Sequence, residues 1–319
     1  MIDQFLNFFS VDGHDGVLEP GRLRFGEHSV SLEAGIPRFT PGSSYSHGNF
    51  ERLRTEHATL QLDSKNGTSD RRNTILKRTG WPVEYFRGKT VLECGCGAGP
   101  DTEILLSMGA KVVAVDLAGV DVAAANLGQR PELCLVQASI ADLPFKAQSF
   151  DIVFCHRVIM HTPDPKGILD HILRFVKPEG AVFVHSYSRD LFQMARWKYA
   201  MRPLTKRIDP ERLYRFIESA APTMFRITEA LNKSKVGKRI SWHFVPFMNY
   251  SQKPELMQMT DETLLEYAIH DTFDALSPPY DNPLSVADFE TAARKHLKAP
   301  WEIVRGSAIT YLRSRLARS

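Results

Sequence analysis

Residues 91–100, "VLECGCGAGP", place one carboxylate, two cysteines and three glycines directly after two apolar residues. Two chemistries would use this arrangement: the cysteines could ligate a metal, or the glycines could bring a backbone loop close to a ligand. Cys94 and Cys96 are spaced C-x-C, with no second cysteine pair and no nearby set of histidines. This spacing does not fit a structural zinc site. The stretch therefore predicts a ligand-binding loop and no metal.

Two carboxylates accompany the loop. Glu93 precedes Gly95, Gly97 and Gly99, and Asp116 lies 19 residues beyond Gly97, where an acidic side chain can accept hydrogen bonds from both ribose hydroxyls. Dinucleotide enzymes have the spacing G-x-G-x-x-G because their pyrophosphate rests on a helix N-terminus, and a carboxylate beside that loop would not favour pyrophosphate. S-adenosylmethionine has no phosphate, but it has a ribose and an ammonium group. The G-x-G-x-G loop with Glu93 therefore favours S-adenosylmethionine as the cofactor.

The elements around the loop alternate between strand and helix from about residue 86. "KTVLECG", "AKVVAVD", "LCLVQA", "FDIVFCH" and "GAVFVHSYS" have the composition of strands, and helical patterns separate most of them. Strands that are apolar on both faces and are separated by helices indicate a parallel sheet covered on both sides. The predicted fold is α/β, with a doubly wound, Rossmann-like, mostly parallel sheet, a small N-terminal β segment and a helical insertion.

The alternation also predicts domain boundaries. After residue 189 the chain becomes rich in arginine, lysine and aromatic residues with helical patterns, and "SVADFETAARKHL" and "WEIVRGSAITYLRSR" then predict a helix and two short strands. We expect an N-terminal β segment and linker at 1–68, the cofactor-binding core at 69–189, a helical insertion that acts as a substrate lid at 190–282, and the last helix and strands at 283–319.

Three motifs resemble those of the class I S-adenosylmethionine-dependent methyltransferases, over about residues 89–188. They are "VLECGCGAG", "VVAVD" and "LVQASIADLPFKAQSFDIVFCHRVIMH". Ser139 stands where the family often has an aspartate that bonds the adenine, so the resemblance leaves this contact to Ser139 or to the backbone of Ile140. The cofactor-binding residues that the resemblance implies are Glu93, Gly95, Cys96, Gly97, Gly99, Asp116, Leu117, Ser139, Ile140 and His156.

The leading residues resemble one subfamily of small-molecule methyltransferases. "GIPRF" at 35–39 precedes "LQLDSKNGTSD" at 60–70 and "TGW" at 79–81. In relatives this leading segment can resemble a small zinc ribbon. The present chain has no cysteine before Cys94, so we expect no metal there.

The stretch "CHRVIMHTPDP" contains the candidate general bases His156 and His161. The resemblance places both near the transferring methyl group, and a hydroxyl or ammonium acceptor needs a base to remove its proton. His161 is the better candidate, since Asp164 follows three residues later. The alternative is that His161 packs beneath its loop or caps the next helix, because "HTPDP" also has ordinary turn chemistry.

The acceptor is not identified by the sequence. Arg202 and Arg207 could bind a carboxylate or phosphate on it, and Tyr250 could form part of an aromatic wall. The predicted activity is O- or N-methylation of a small molecule. A nicotinamide-dependent oxidoreductase and a non-catalytic cofactor-binding module are the alternatives.

Composition narrows the partners and the compartment. The 319 residues are 43% hydrophobic and 24% charged, and a net charge of +3 is too small to indicate a nucleic-acid partner. The N-terminus lacks the features of a secretory signal, and no apolar run reaches the roughly 20 residues that cross a bilayer. Four cysteines in or beside apolar runs suggest reduced thiols. We expect a cytoplasmic protein with no membrane partner, and homo-oligomer formation is left open.

Overall fold

The computed structural model describes residues 2–40, 53, 55–189, 196–256, 258–306 and 308–316. The chain forms two compact units. The core unit consists of Met1–Tyr45, Arg72–Ser188 and Tyr280–Ser319, and the helical unit consists of Ser46–Arg71 and Arg189–Pro279.

The unit boundaries differ from those expected, most clearly at the linker. The sequence predicted a linker up to residue 68, whereas Ser46–Arg71 clusters with Arg189–Pro279 in the helical unit. Residues 190–195, with which the predicted insertion begins, lie outside the described residues.

The strands are named in chain order. They are β1 (Ser10–Val11), β2 (His14–Asp15), β3 (Val17–Glu19), β4 (Arg22–Phe25), β5 (His28–Glu33), β6 (Ile36–Arg38), β7 (Thr90–Cys94), β8 (Lys111–Asp116), β9 (Leu133–Gln137), β10 (Phe150–Cys155), β11 (Val176–Tyr187), β12 (Trp301–Arg305) and β13 (Ile309–Ser314).

The helices are named in the same way. They are α1 (Asp63–Asn66), α2 (Asp70–Thr79), α3 (Val83–Phe86), α4 (Pro100–Ser107), α5 (Val120–Leu127), α6 (Pro165–Ile172), α7 (Trp197–Thr205), α8 (Pro210–Asn232), α9 (Lys235–Phe244), α10 (Asp261–Leu276) and α11 (Val286–His296). Short 3-10 turns occupy Ile2–Phe8, Ile159–His161, Leu173–Phe175 and Pro254–Leu256.

The central sheet has its parallel strands in the order β9-β8-β7-β10-β11, followed by β13 and β12. β13 pairs antiparallel with both of its neighbours, β11 and β12. The chain moves from β7 outward to β9 and then returns to place β10 on the other side of β7, so the strand order reverses between β7 and β10. This topology confirms the predicted doubly wound, mostly parallel α/β sheet, and ligands bind such sheets where the order reverses.

The parallel strands are apolar on both faces because each face meets its own core. Leu92, Val113 and Val153 belong to the cluster on one side of the sheet. Val91, Val112 and Ile152, their neighbours in sequence, belong to the cluster on the other side. Successive side chains of a strand point to opposite faces, so a strand buried on both sides needs a continuous apolar run.

The N-terminal β segment extends this sheet. β3, β4, β5 and β6 form an antiparallel meander, and β6 joins the parallel edge where Arg38 pairs with Gln137 of β9. The Arg38 guanidinium also donates to both carboxylate oxygens of Asp121, at 3.0 and 2.6 Å. The "GIPRF" motif thus lies at the junction between the meander and the parallel strands.

The helical unit is organised by α8 and α10. α8 contains Pro222 and continues beyond it to Asn232. Its buried residues Ile217, Ala221 and Phe225 are spaced four apart, so packing of this stripe maintains the helix past the missing N–H of proline. Among the described residues, no helix combines the length and the apolarity needed to cross a bilayer.

Candidate active site

The loop after β7 depends on its glycines. Gly95, Gly97 and Gly99 have φ values of 87°, 55° and 92°, a region that residues with a Cβ rarely adopt. Two of them are also closely packed, since a Cβ on Gly95 would lie 2.5 Å from Val158 and one on Gly99 would lie 2.8 Å from Leu127. A side chain at either position would therefore displace the loop.

Asp116, the last residue of β8, connects two loops. Its Oδ2 accepts a hydrogen bond from the Gly97 N–H at 2.9 Å. Its Oδ1 accepts from the N–H groups of Ala118 and Gly119, at 3.0 and 2.8 Å. The carboxylate thus fixes the glycine loop against the start of α5. The hydroxyl groups of a ribose bound here would donate to the same carboxylate as these three backbone N–H groups.

Glu93 lies at the carboxyl end of β7, beside the point where the strand order reverses. The residue is only 2% exposed, and its Oε2 accepts a hydrogen bond from the hydroxyl of Thr102 in α4 at 2.6 Å. Its carboxylate is therefore held between the strand and the helix that the glycine loop connects.

His156 follows β10 and is held on both ring nitrogens. Its Nδ1 lies 2.8 Å from Asp101 Oδ2, and its Nε2 lies 2.7 Å from the Arg78 guanidinium. A guanidinium only donates, so Nε2 accepts, and the Nδ1–H donates to Asp101. Burial lowers the pKa of His156 to about 4, although the Asp101 carboxylate acts in the opposite direction. This geometry argues against the predicted role of His156 as a general base, because its basic lone pair already accepts from Arg78.

His161 lies in the 3-10 turn after β10 and is buried. Its Nδ1 is 3.2 Å from the carbonyl oxygen of Tyr280, which can only accept. The neutral ring therefore carries its proton on Nδ1 and its lone pair on Nε2. Asp164, three residues beyond His161, caps α6, because its Oδ1 accepts from the Gly167 N–H.

The predicted adenine contacts lie at the carboxyl ends of β8 and β9, which are neighbours in the sheet. The Ser139 hydroxyl accepts a hydrogen bond from the Ala141 N–H at 3.2 Å, and Ile140 is buried. The Leu117 carbonyl accepts from the side chain of Gln137 at 3.1 Å. Ser139 thus has a local turn partner, and the adenine contact through Ser139 or the backbone of Ile140 remains a prediction.

The predicted substrate-binding residues belong to the helical unit. The buried Arg202 donates to the carbonyl oxygens of Ala275 and Pro278, at 3.1 and 2.7 Å. These bonds hold the C-terminal end of α10, which argues against the predicted role of Arg202 in substrate binding. Arg207 is exposed just beyond α7, and the half-buried Tyr250 donates its hydroxyl to Asp271 at 2.6 Å.

Sequence reasoning missed three residues near the ends of β10 and β11. Arg78 and Asp101 complete the His156 network, and His185 of β11 lies with its ring 5.1 Å from that of His156. Burial lowers the pKa of His185 well below its usual range, and its Nδ1 accepts from the Arg157 N–H at 3.3 Å. A histidine inside the apolar strand "GAVFVHSYS" was a visible signal, whereas nothing in the sequence singled out Arg78.

The fold and the site together define a nucleotide-cofactor site at the switch point of a doubly wound sheet. Residues 92–184 match the sequence profile of the family described as "Methyltransferase domain". This match confirms the resemblance of the segment to the class I S-adenosylmethionine-dependent methyltransferases.

Curated relatives include two proteins named ubiquinone biosynthesis O-methyltransferase. That of Azotobacter vinelandii is 34% identical over 122 residues, which are 35% of this chain and 51% of the relative. That of Pseudomonas fluorescens is 32% identical over 142 residues, which are 40% of this chain and 60% of the relative. The chain thus spans about half to three-fifths of the length of these relatives.

Solved structures show more distant likeness. One is a protein described as a putative S-adenosylmethionine-dependent methyltransferase from Methanococcus maripaludis. It is 12% identical, with 88% of this chain and 96% of that chain covered and a TM-score of 0.42.

The residues present fit S-adenosylmethionine. The loop 93–99 contains a carboxylate and no lysine or arginine, and Asp116 adds a second carboxylate, which suits a cationic ligand with hydroxyl groups better than a pyrophosphate. Glu93, the backbone of Gly95–Gly99 and Asp116 would hold it. When bound, this cofactor supplies an electrophilic methyl group whose departure leaves a neutral thioether.

Proposed function

We propose that this chain transfers a methyl group from S-adenosylmethionine to an oxygen atom of a small-molecule acceptor. The observation that carries the proposal is the pair of carboxylates, Glu93 and Asp116, positioned around a glycine loop at the switch point of a methyltransferase domain. The names of the curated relatives support oxygen as the acceptor atom.

In this proposal His161 is the general base. Its Nδ1–H donates to the Tyr280 carbonyl, which fixes the ring, and Nε2 is the atom that takes the hydroxyl proton of the acceptor. The His156 network has a positioning role, because Asp101 and Arg78 connect the end of β10 to α4 and α2. A preorganised loop after β10 would keep the acceptor oxygen in line with the methyl group, which is the main requirement of a displacement at carbon.

We also propose that the helical unit selects the acceptor, as expected for residues 190–282. This unit enters the chain directly after β11, one of the parallel strands whose carboxyl ends form the ligand-binding edge of the sheet. The four cysteines are free and buried, which suits the reducing cytoplasm in which we place the reaction.

The test is mass spectrometry of a metabolite extract incubated with the chain and S-adenosylmethionine labelled in its methyl group. We expect label in a small molecule, and we expect the His161→Gln variant to transfer about 10²–10⁴-fold more slowly while binding the cofactor normally. Calorimetry provides the binding measurement.

Two results would contradict the proposal. Tight binding of a nicotinamide dinucleotide without binding of S-adenosylmethionine would indicate an oxidoreductase. Binding of S-adenosylmethionine with no labelled product from any extract would indicate a non-catalytic module.

A further inference from the structure

Helix α9 presents its large apolar side chains to solvent. Val236, Ile240 and Phe244 are spaced four residues apart, so they form one stripe along the helix, and they are 69%, 42% and 76% exposed. The buried residues of α9 are instead the small Gly237 and Ser241. An ordinary amphipathic helix has the opposite arrangement, with its apolar stripe against the core. Exposed apolar patches of this kind mark interaction surfaces.

The orientation of α9 is fixed at its first turn. The Ser234 hydroxyl caps the helix by accepting from the Gly237 N–H at 2.9 Å. A Cβ on Gly237 would collide with the carbonyl oxygen of Leu231, at the end of α8. Only glycine therefore permits this close approach of α9 to α8, and the approach turns the apolar stripe outward.

A row of cations runs beside the stripe. Lys235 and Arg239 directly precede Val236 and Ile240, and they are also spaced four apart, so the two rows are parallel. Both cations are exposed. Residues 230–254 include five lysines and arginines and no aspartate or glutamate. The surface of α9 is therefore apolar along one row and positively charged along the next.

This combination fits an anionic lipid surface better than a protein partner. A helix that lies in the membrane interface inserts its apolar side chains between the lipids, and its lysines and arginines reach the headgroups. Protein–protein interfaces, in contrast, are depleted in lysine. We expected no membrane partner because no apolar run is long enough to span a bilayer, but a helix that lies on the surface needs no such run.

We propose that α9 docks this protein on the surface of a bilayer that contains anionic lipids. Val236, Ile240 and Phe244 enter the interface, and Lys235 and Arg239 bind the headgroup phosphates. The proposal goes beyond methyl transfer and does not depend on it.

The test is sedimentation of the full chain with two kinds of vesicle. One kind is phosphatidylcholine alone, and the other is an equimolar mixture of phosphatidylcholine and phosphatidylglycerol. We expect binding to the anionic vesicles to be at least about tenfold tighter, because two cations adjoin the stripe. Added salt should weaken this binding, since it screens exposed charges.

A first pair of variants tests the apolar stripe. Phe244 lies in the stripe, whereas Leu204 of α7 is similarly exposed, at 69%, but lies outside it. We expect Phe244→Ser to weaken binding to the anionic vesicles about tenfold, the scale of one apolar side chain removed from water. Leu204→Ser should leave binding unchanged.

A second pair tests the cations at equal net charge. One variant combines Lys235→Gln with Arg239→Gln, and its control combines Lys77→Gln with Lys298→Gln, two exposed lysines of the core unit. We expect the first variant to lose most of the preference for anionic vesicles and the control to keep it. Calorimetry with S-adenosylmethionine should give the wild-type affinity in all of these variants, so loss of docking is distinguishable from misfolding.

Three results would overturn the proposal. Equal binding to the two kinds of vesicle would remove the role of the cations, and equal weakening by Phe244→Ser and Leu204→Ser would remove the role of the stripe. The third result is failure to bind either kind of vesicle. In that case size-exclusion chromatography identifies the occupant: a dimer that Phe244→Ser dissociates would mean a second copy of this chain, and a monomer would mean a different protein.

Discussion

The core unit and the helical unit differ in how many of their large apolar side chains are exposed to solvent. Among the described residues, nine such side chains are exposed, and eight of them lie in the helical unit, with Val17 the exception. Phe244 and Val236 of α9 are 76% and 69% exposed. In the core unit, strands between two packed faces leave few positions where an apolar residue meets water. Apolar periodicity is therefore a good guide to burial in the core unit and a poor one in the helical unit.

The largest expected effects concern the two cores. Phe183 of β11 and Phe273 of α10 are both fully buried, in different units. Truncation of a buried phenylalanine to alanine costs about 3–5 kcal/mol through lost contacts and a cavity. We expect Phe183→Ala and Phe273→Ala each to destabilise by this amount in urea unfolding followed by circular dichroism.

The same pair of variants tests whether the units unfold separately. Each unit has its own apolar cluster, so we expect each variant to shift one transition and to leave the other in place. A single transition that moves equally in both variants would show instead that the two cores unfold as one cooperative unit.

Acid should destabilise the core unit through His156. Its folded pKa of about 4, set by burial, is below the value of about 6.5 expected in the unfolded chain. The unfolded state therefore takes up a proton first, so this stabilisation is complete above pH 6.5 and is lost as pH falls to about 4. The difference of about 2.5 pKa units corresponds to about 3 kcal/mol.

Urea midpoints between pH 7 and pH 4 measure this effect. His185 adds to it in the same direction, since burial also lowers its pKa. We expect His156→Gln to be less stable at pH 7 but to show a weaker dependence on pH in this window. An unchanged pH dependence in His156→Gln would mean that His156 is not the group responsible.

The cofactor loop could be predicted from the sequence because its parts are local. Glu93, the three glycines and Asp116 lie within 24 residues of one another, and both carboxylates lie at the carboxyl ends of predicted strands. His156 was assigned to catalysis because the family resemblance places it near the transferring methyl group. Its partners Arg78 and Asp101 are 78 and 55 residues away, so only the fold reveals that they occupy both ring nitrogens.

The helical unit was harder to predict for the same reason. Arg202 donates to carbonyl groups 73 and 76 residues later in the chain. Because of these two bonds, its guanidinium stabilises the end of a helix. A proline inside a helix usually kinks or ends it, yet packing of Ile217, Ala221 and Phe225 maintains α8 through Pro222. Tertiary contacts overrode local signals at both positions.

Arg202 should matter for stability within the helical unit. Loss of its two bonds would leave two carbonyl groups at the end of α10 without a charged donor, so we expect Arg202→Met to cost about 1.5–3 kcal/mol. The exposed Arg207 is the matched control, and Arg207→Met should change stability by less than about 0.5 kcal/mol. A normal urea midpoint for Arg202→Met would return this residue to consideration as a substrate contact.

The smallest expected effect compares two helix caps, one in each unit. Asp164 Oδ1 accepts from the Gly167 N–H at 3.0 Å, and Asp209 Oδ1 accepts from the Arg212 N–H at 3.1 Å. Both are exposed aspartates at the N-cap of a helix that begins with proline, so Asp164→Ala and Asp209→Ala should each cost about 1 kcal/mol. Urea unfolding measures both.

The Asp164 variant also tests the site. Asp164 follows His161 by three residues, which made this histidine the better candidate base, whereas the structure places the Tyr280 carbonyl oxygen 3.2 Å from Nδ1 of that ring. We therefore expect Asp164→Ala to transfer methyl groups at the wild-type rate. A clear loss of turnover in this variant, with S-adenosylmethionine bound normally, would show that Asp164 acts on the base after all.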